Sequence, residues 1–241
     1  SEATKLVQRS GTNETYTMKI EAVLFDLDGT LVDSAPDLGA AVDQMRTRRG
    51  LPSLPASAYR RPASAGARGL LEAAFGMQPD DAEYAAYRDE FLDIYAQRLL
   101  QLTLPFGGIA DMLHALRLQG LLWGIVTNKP ARFAEPIARG LNELRDAAVV
   151  ISGDTLPQAK PHPAPLLEAA RRMAVAPQHC LYVGDDLRDI QAAHAAGMVG
   201  MAALWGYLGG ADVDTWGADV QVHQPAHVLT WLADRHRQEG A

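Results

Sequence analysis

Val23-Leu24-Phe25-Asp26-Leu27-Asp28-Gly29-Thr30-Leu31-Val32-Asp33-Ser34 starts as an apolar run and breaks off at two carboxylates separated by one leucine. An uninterrupted apolar run, without polar alternation, reads as a parallel strand covered on both faces. Residues two apart on an extended chain point the same way, so Asp26 and Asp28 face one site. Taken alone, Asp28-Gly29 is also the turn signal of a plain β-hairpin. The remainder of the chain decides between the two.

Outward from this stretch, similar runs recur as Leu121–Val126, Ala148–Ile151, Leu181–Val183 and Met201–Leu204, after Ala22–Phe25 itself. Helical patterns lie between them. Over 109–119, Ile109, Met112, Leu113 and Leu116 share one face and Gly120 is placed to end the helix. Strands alternating with helices predict an α/β fold, a Rossmann-like doubly wound parallel sheet.

Residues 34–103 break the alternation. Ser34 and Asp37 make a capping-box-like helix start, with Pro36 in the first turn and Leu38, Ala41, Val42 and Met45 on one face. Further helices are expected over about 70–75 and 80–102, the latter carrying Tyr84, Tyr87, Phe91, Ile94, Tyr95 and Leu99. No strand follows until the core resumes, so an all-helical cap is inserted after the first strand. The division is a core of 18–33 and 104–241 and a cap of 34–103. Its Pro-, Ser-, Gly- and Arg-rich loop at 51–69 is a candidate substrate contact. Residues 1–17, polar and preceding Met18, are read as a flexible leader outside the fold.

With 241 residues, 48% of them hydrophobic, the chain can bury a full core. A formal charge of -7 and a pI near 5.5 argue against nucleic acid, whose binding relies on clustered cations. No apolar run reaches the roughly 18 residues of a membrane span. Cys180 stands alone, which excludes an internal disulfide and suits a reducing cytoplasm; it is expected to be a buried strand residue. A monomer or homodimer is expected.

Polar residues cluster after each apolar run: Asp26 and Asp28; Thr127, Asn128 and Lys129; Gly153 and Asp154; Gly184, Asp185 and Asp186. The carboxyl ends of parallel strands are where such sheets bind ligands, so these groups converge. Close carboxylates repel one another, and a cation relieves them. Oxygen donors without a His/Cys cluster suit Mg²⁺ better than Zn²⁺.

These residues resemble the haloacid dehalogenase-like hydrolases. Asp26-Leu27-Asp28-Gly29-Thr30, Thr127-Asn128, Lys160-Pro161 and Gly184-Asp185-Asp186-Leu187-Arg188-Asp189 are similar to that family's four motifs and follow its order. The resemblance implies Asp26 as nucleophile, forming an aspartyl-phosphate, and Asp28 as acid and base. It implies Mg²⁺ held by Asp26, the main-chain carbonyl of Asp28, and Asp185, with Asp189 or Asp186 in support. Thr127 and the Asn128 amide would meet phosphate oxygens, and Lys160 would balance charge. Gly29, Ser64 and Arg68 join Asn128 as candidate substrate contacts, with Arg60 and Arg61 as further cap candidates. Asp186 and Asp189 also read as first-turn acids favoured by a helix dipole. The histidines, His162 and His194 among them, show no partner pattern and read as surface or packing residues.

Within the family, dehalogenases lack the second aspartate, which is present here as Asp28. Phosphonate hydrolases need a cap lysine, and none occurs between Ser34 and Thr103. Phosphate monoester hydrolysis remains, with a phosphosugar mutase or a non-catalytic binding module as alternatives. The whole chain is most similar to phosphoglycolate phosphatases. Leu121–Ile137, Val183–Ile190 and Trp216–Val220 resemble the branch acting on N-acetylmuramic acid 6-phosphate. Asp186, where phosphoglycolate phosphatases more often carry serine, is a departure that touches substrate choice, not metal chemistry.

Overall fold

The structure is a computed structural model and describes residues 4–6 and 18–239. Among these residues, the strands are β1 (Thr4–Leu6), β2 (Ala22–Phe25), β3 (Val32–Asp33), β4 (Leu104–Pro105), β5 (Leu122–Val126), β6 (Val150–Ile151), β7 (Cys180–Gly184), β8 (Val199–Ala203) and β9 (Val220–Val222). The α-helices are α1 (Ala35–Arg48), α2 (Ser57–Arg60), α3 (Gly66–Phe75), α4 (Tyr84–Ala96), α5 (Ile109–Leu118), α6 (Ala131–Gly140), α7 (Ala164–Met173), α8 (Leu187–Ala195) and α9 (Ala226–Glu239). A seven-stranded sheet runs in the order β1-β9-β8-β7-β2-β5-β6, parallel throughout except for β1 against β9.

β2 is fully buried because each face meets a helical layer. Val23 and Phe25 pack with Ile109, Leu113 and Leu116 of α5 and Leu232 of α9, while Ala22 and Leu24 pack with Leu166, Ala169 and Ala170 of α7. Cys180 is buried in the second layer, as expected. This is the doubly wound α/β fold that the apolar runs predict. β2 lies between β5 and β7, with Phe25 level with Ile125 and Val183. The strand order therefore switches direction at β2, and the crevice at its carboxyl end is flanked by Thr127 and Asp185.

The helical segment leaves and re-enters through the two-stranded ribbon of β3 and β4. α1, α3 and α4 form a core of their own around Met45, Leu70, Leu71 and Phe91, joined by Phe133 of α6 and by Tyr207. The third helix is shorter than the apolar pattern suggests, ending at Ala96.

Several local expectations are corrected. Ser34 makes no capping bond at α1. Its hydroxyl goes to Asp28, and the amides of Ser34 and Ala35 donate instead to the Tyr207 hydroxyl at 2.9 and 2.8 Å. Asp37 is drawn away by the returning chain, where Oδ2 accepts from the Leu102 and Thr103 amides and the Thr103 hydroxyl. The capping box lies at α8, between Asp186 and Asp189. Residues 1–17 are not all outside the fold, since Thr4–Leu6 extends the sheet against β9; the rest of that leader lies outside the described residues. Strand β9 is short and carries the polar Gln221, so apolar content alone does not reveal it.

Candidate active site

Asp26 follows β2 directly, and its Oδ1 accepts from the Leu27 amide at 2.7 Å. Asp185 follows β7; its Oδ1 accepts from the Thr30 hydroxyl and its Oδ2 from the Tyr207 amide, both at 2.9 Å. Asp189 sits in the first turn of α8, with Oδ2 accepting from the Asp186 amide at 3.0 Å. Oxygens of Asp26, Asp185 and Asp189 lie within 4.8 Å of one another. The backbone makes this possible at two glycines. Gly29 has φ +81, and a Cβ there would meet Asp185 Oδ2 at 2.3 Å; a Cβ at Gly184 would meet Asp189 Oδ2 at 2.2 Å.

Burial raises the Asp26 carboxyl to about 7, and Asp189 and Asp28 add to this while Lys160 opposes it. Asp185 is raised well above the usual carboxylate range, first by burial and then by Asp26 and Asp189. Three oxygen donors, two of them raised by burial and by one another, fit a hard divalent cation and not a soft one. The triad can therefore hold a metal.

Lys160 meets Asp26 Oδ1 at 3.1 Å and Asp189 Oδ1 at 2.8 Å, and donates to Tyr182 Oη at 2.6 Å and the Val126 carbonyl at 3.0 Å. Burial works against its charge, and the two carboxylates overcome that and raise its pKa. Asn128 fixes the main chain at Lys160 from both sides, its Nδ2 donating to Lys160 O and its Oδ1 accepting from Lys160 N at 2.9 Å each. The Asn128 side chain is thus a support for Lys160. The Thr127 hydroxyl accepts from the Lys129 amide at 3.1 Å. Asp28 is outside the carboxylate triad: its Oδ1 accepts from Lys129 Nζ at 2.9 Å and from Ser34 Oγ.

These groups line a cavity of about 310 Å³ whose other wall is the helical segment, including Leu38, Ala63, Ser64, Phe91, Leu92 and Tyr95. Asp26, Asp28, Thr127, Asn128, Lys160, Asp185, Asp189 and Ser64 are all brought together there. Two candidates are not. Arg68 is exposed and absent from the lining, because it lies on the outer face of α3. Gly29 is absent too, buried beneath Asp185, so its contribution is room for that carboxylate and not substrate contact. Arg60 pairs with Asp33 and stacks over Tyr207, and Arg61 is exposed.

Other residues at the site are given no chemical role by the sequence, although Lys129 is among the groups expected to converge there and Arg188 lies within the fourth motif. Lys129 and Arg188 line the cavity, and Tyr182 lies behind Lys160. A signal existed for two of them. Lysine is rare here, only Lys5, Lys19, Lys129 and Lys160, and both core-facing ones follow strand ends. A tyrosine within a buried strand must find a partner for its hydroxyl, and Tyr182 finds Lys160.

Comparison with known proteins agrees with this arrangement. Residues 20–197 match the haloacid dehalogenase-like hydrolase family. The chain is 51% identical over 205 residues to a phosphoglycolate phosphatase of Xanthomonas campestris, covering 85% of this chain and 92% of the relative. It is 42% identical over 216 residues to an N-acetylmuramic acid 6-phosphate phosphatase of Pseudomonas aeruginosa, covering 89% and 96%. Its fold is similar to the crystal structure of a predicted phosphoglycolate phosphatase from Haemophilus somnus, with a TM-score of 0.76, 26% identity and coverage of 90% and 99%. Four motifs meeting at one crevice, a family match over most of the fold and near-full-length relatives lead to one conclusion: the chain belongs to the haloacid dehalogenase-like hydrolases.

Proposed function

We propose that this chain hydrolyses a small phosphate monoester through Asp26, with Asp28 as acid and base and Mg²⁺ as cofactor. It is a phosphoric monoester hydrolase by family and by its relatives. One observation carries the finer reading: Asp26 and Asp28 sit at the floor of a cavity, with Lys160 on the first and Lys129 on the second.

Asp26 attacks phosphorus, the bond to the ester oxygen breaks, and Asp28 delivers a proton to the departing oxygen. Water then attacks the aspartyl-phosphate, Asp28 takes its proton, and the bond between phosphorus and Asp26 breaks to release phosphate and restore the carboxylate. The Leu27 amide and Lys160 hold Asp26 Oδ1 and so fix the orientation of the nucleophile. In this reading Thr127 and the Asn128 amide, which line the cavity, meet phosphoryl oxygens. Asp26, Asp185 and the Asp28 carbonyl, with Asp189 beside them, would hold Mg²⁺, which would supply charge neutralisation of the phosphoryl group.

The apolar wall of Phe91, Leu92 and Phe133 favours an ester with more organic surface than a two-carbon acid. N-acetylmuramic acid 6-phosphate is therefore the preferred substrate, and 2-phosphoglycolate its competitor. The test is phosphate release with Mg²⁺ from both esters, using Asp26→Asn as the blank. Greater kcat/KM for the sugar phosphate is expected. A preference for 2-phosphoglycolate would overturn the substrate choice, and no Asp26-dependent release from either or from a wider ester panel would overturn the mechanism.

A further inference from the structure

Tyr95 is 2% exposed, yet among the described residues its hydroxyl makes no well-aligned hydrogen bond, with only the Lys129 ammonium close beside it. An orphaned buried hydroxyl costs stability unless something outside the protein satisfies it. The ring cannot easily turn away to find a partner. It stacks on Phe91, with centroids 6.1 Å apart and planes 2° from parallel, and packs on Phe133 at 5.4 Å. Tyr95 lines the same cavity as the catalytic aspartates.

Beside it stands Lys129, its Nζ 4.6 Å from the centre of the Tyr95 ring. The cavity's other cations are each tied to a carboxylate and to a further protein acceptor. Lys160 is shared among Asp26, Asp189, Tyr182 and Val126, and Arg188 is bound to Asp186 and to the Ser64 carbonyl. Lys129 places one N–H on Asp28 and retains donors for a ligand. Burial drives the Tyr95 hydroxyl up to about 12 against the pull of Lys129, so it remains a donor at neutral pH. Two donors in an apolar wall call for an acceptor, and a cation among them calls for an anionic one.

We infer that Tyr95 and Lys129 form a specificity subsite that binds a carboxylate on the organic part of the phosphate ester. This rests on the phosphatase reading above and adds what the site selects. A phosphate ester of a carboxylic acid is accepted over the same ester without the acid, because the neutral analogue leaves the Tyr95 hydroxyl unsatisfied.

The test compares paired substrates in wild type and Tyr95→Phe, each with Mg²⁺: N-acetylmuramic acid 6-phosphate against N-acetylglucosamine 6-phosphate, and 2-phosphoglycolate against ethyl phosphate. Wild type is expected to favour the acid of whichever pair it hydrolyses, and Tyr95→Phe to reduce that preference about tenfold. The variant should melt no lower than wild type, since it deletes a hydroxyl that makes no well-aligned hydrogen bond among the described residues. Equal loss on acid and neutral esters, no acid preference in wild type, or a clear fall in melting temperature would each overturn the subsite while leaving the phosphatase reading intact. Absence of Asp26-dependent release from all four esters in wild type would overturn both.

Discussion

Lys160 Nζ lies 2.8 Å from Asp189 Oδ1 and 3.1 Å from Asp26 Oδ1, with all three side chains at least 85% buried. Removing a cation from such a cluster strands charges that water cannot reach. Lys160→Met is expected to cost about 3–5 kcal/mol, lowering the melting temperature by roughly 10 °C for a chain of this size. It should also cut kcat at least 100-fold, because Asp26, the proposed nucleophile, loses its orienting partner. Thermal unfolding with phosphate-release kinetics checks both, and a variant as stable as wild type would refute the charge-balancing role. The position of Lys160 was legible in the sequence from its place after a strand cluster in a lysine-poor chain. Gly29 shows what was not. Its glycine looked like a substrate contact, but its necessity comes from φ +81 and from a carboxylate 156 residues away that occupies the space a Cβ would take. Nothing near Gly29 in the sequence announces Asp185 beneath it.

The same limit governs the elements. α1 was expected to cap itself through Ser34 and Asp37, yet a hydroxyl from the loop after β8 takes the N-terminal amides and both predicted capping side chains serve other partners. Capping signals are local, and a partner brought in by tertiary structure overrides them. Across the cavity, the 3-10 turn at Pro62–Ala65 is clasped to the start of α8: Ser64 Oγ donates to Asp186 Oδ2 at 2.7 Å, and Arg188 bonds both Asp186 and the Ser64 carbonyl. Burial tends to raise the Asp186 carboxyl, but Arg188 and Ser64 outweigh it and hold it below its usual value. Asp186 is therefore both the cap of α8 and the anchor of the helical segment, which gives physical content to its presence in the fourth motif. Ser64→Ala removes one bond to a charged acceptor, worth about 1.5 kcal/mol, and leaves the Arg188 bonds in place. Amide exchange over residues 57–67 should quicken roughly tenfold, and KM should rise more than kcat falls. Unchanged exchange in that segment would show that the clasp does not hold the segment down.

At the scale of the molecule, the order of strands and helices was legible because fully buried parallel strands need unbroken apolar runs, whereas the edges were not: β1 and β9 are three residues each, with Gln221 in one and Lys5 in the other. What no run of residues displays is the free-energy consequence of folding Asp26, Asp185 and Asp189 into one dry place. Asp26 is raised from 3.8 to about 7, and Asp185 is also raised well above the usual carboxylate range, so from about pH 4 to 7 the folded chain holds protons that the unfolded chain has released. Stability therefore falls as pH rises through that window, because the native state binds more protons than the unfolded state there. A divalent cation held by the triad as proposed should oppose the trend, since it would bind the ionised carboxylates and only in the folded chain. In EDTA, the melting temperature should decline from pH 5 to pH 8. At pH 8, Mg²⁺ at a hundred times its Kd adds about 2.7 kcal/mol, or roughly 5–10 °C, and at pH 5 much less, because protons compete for the same oxygens. Asp185→Asn should flatten the decline in EDTA and abolish most of the Mg²⁺ response, as it removes one ligand and one of the strained charges together. Thermal scans of both proteins at the two pH values, with EDTA and with MgCl₂, measure all of this. An equal Mg²⁺ shift at pH 5 and pH 8 would mean that the ion stabilises the chain somewhere other than this triad.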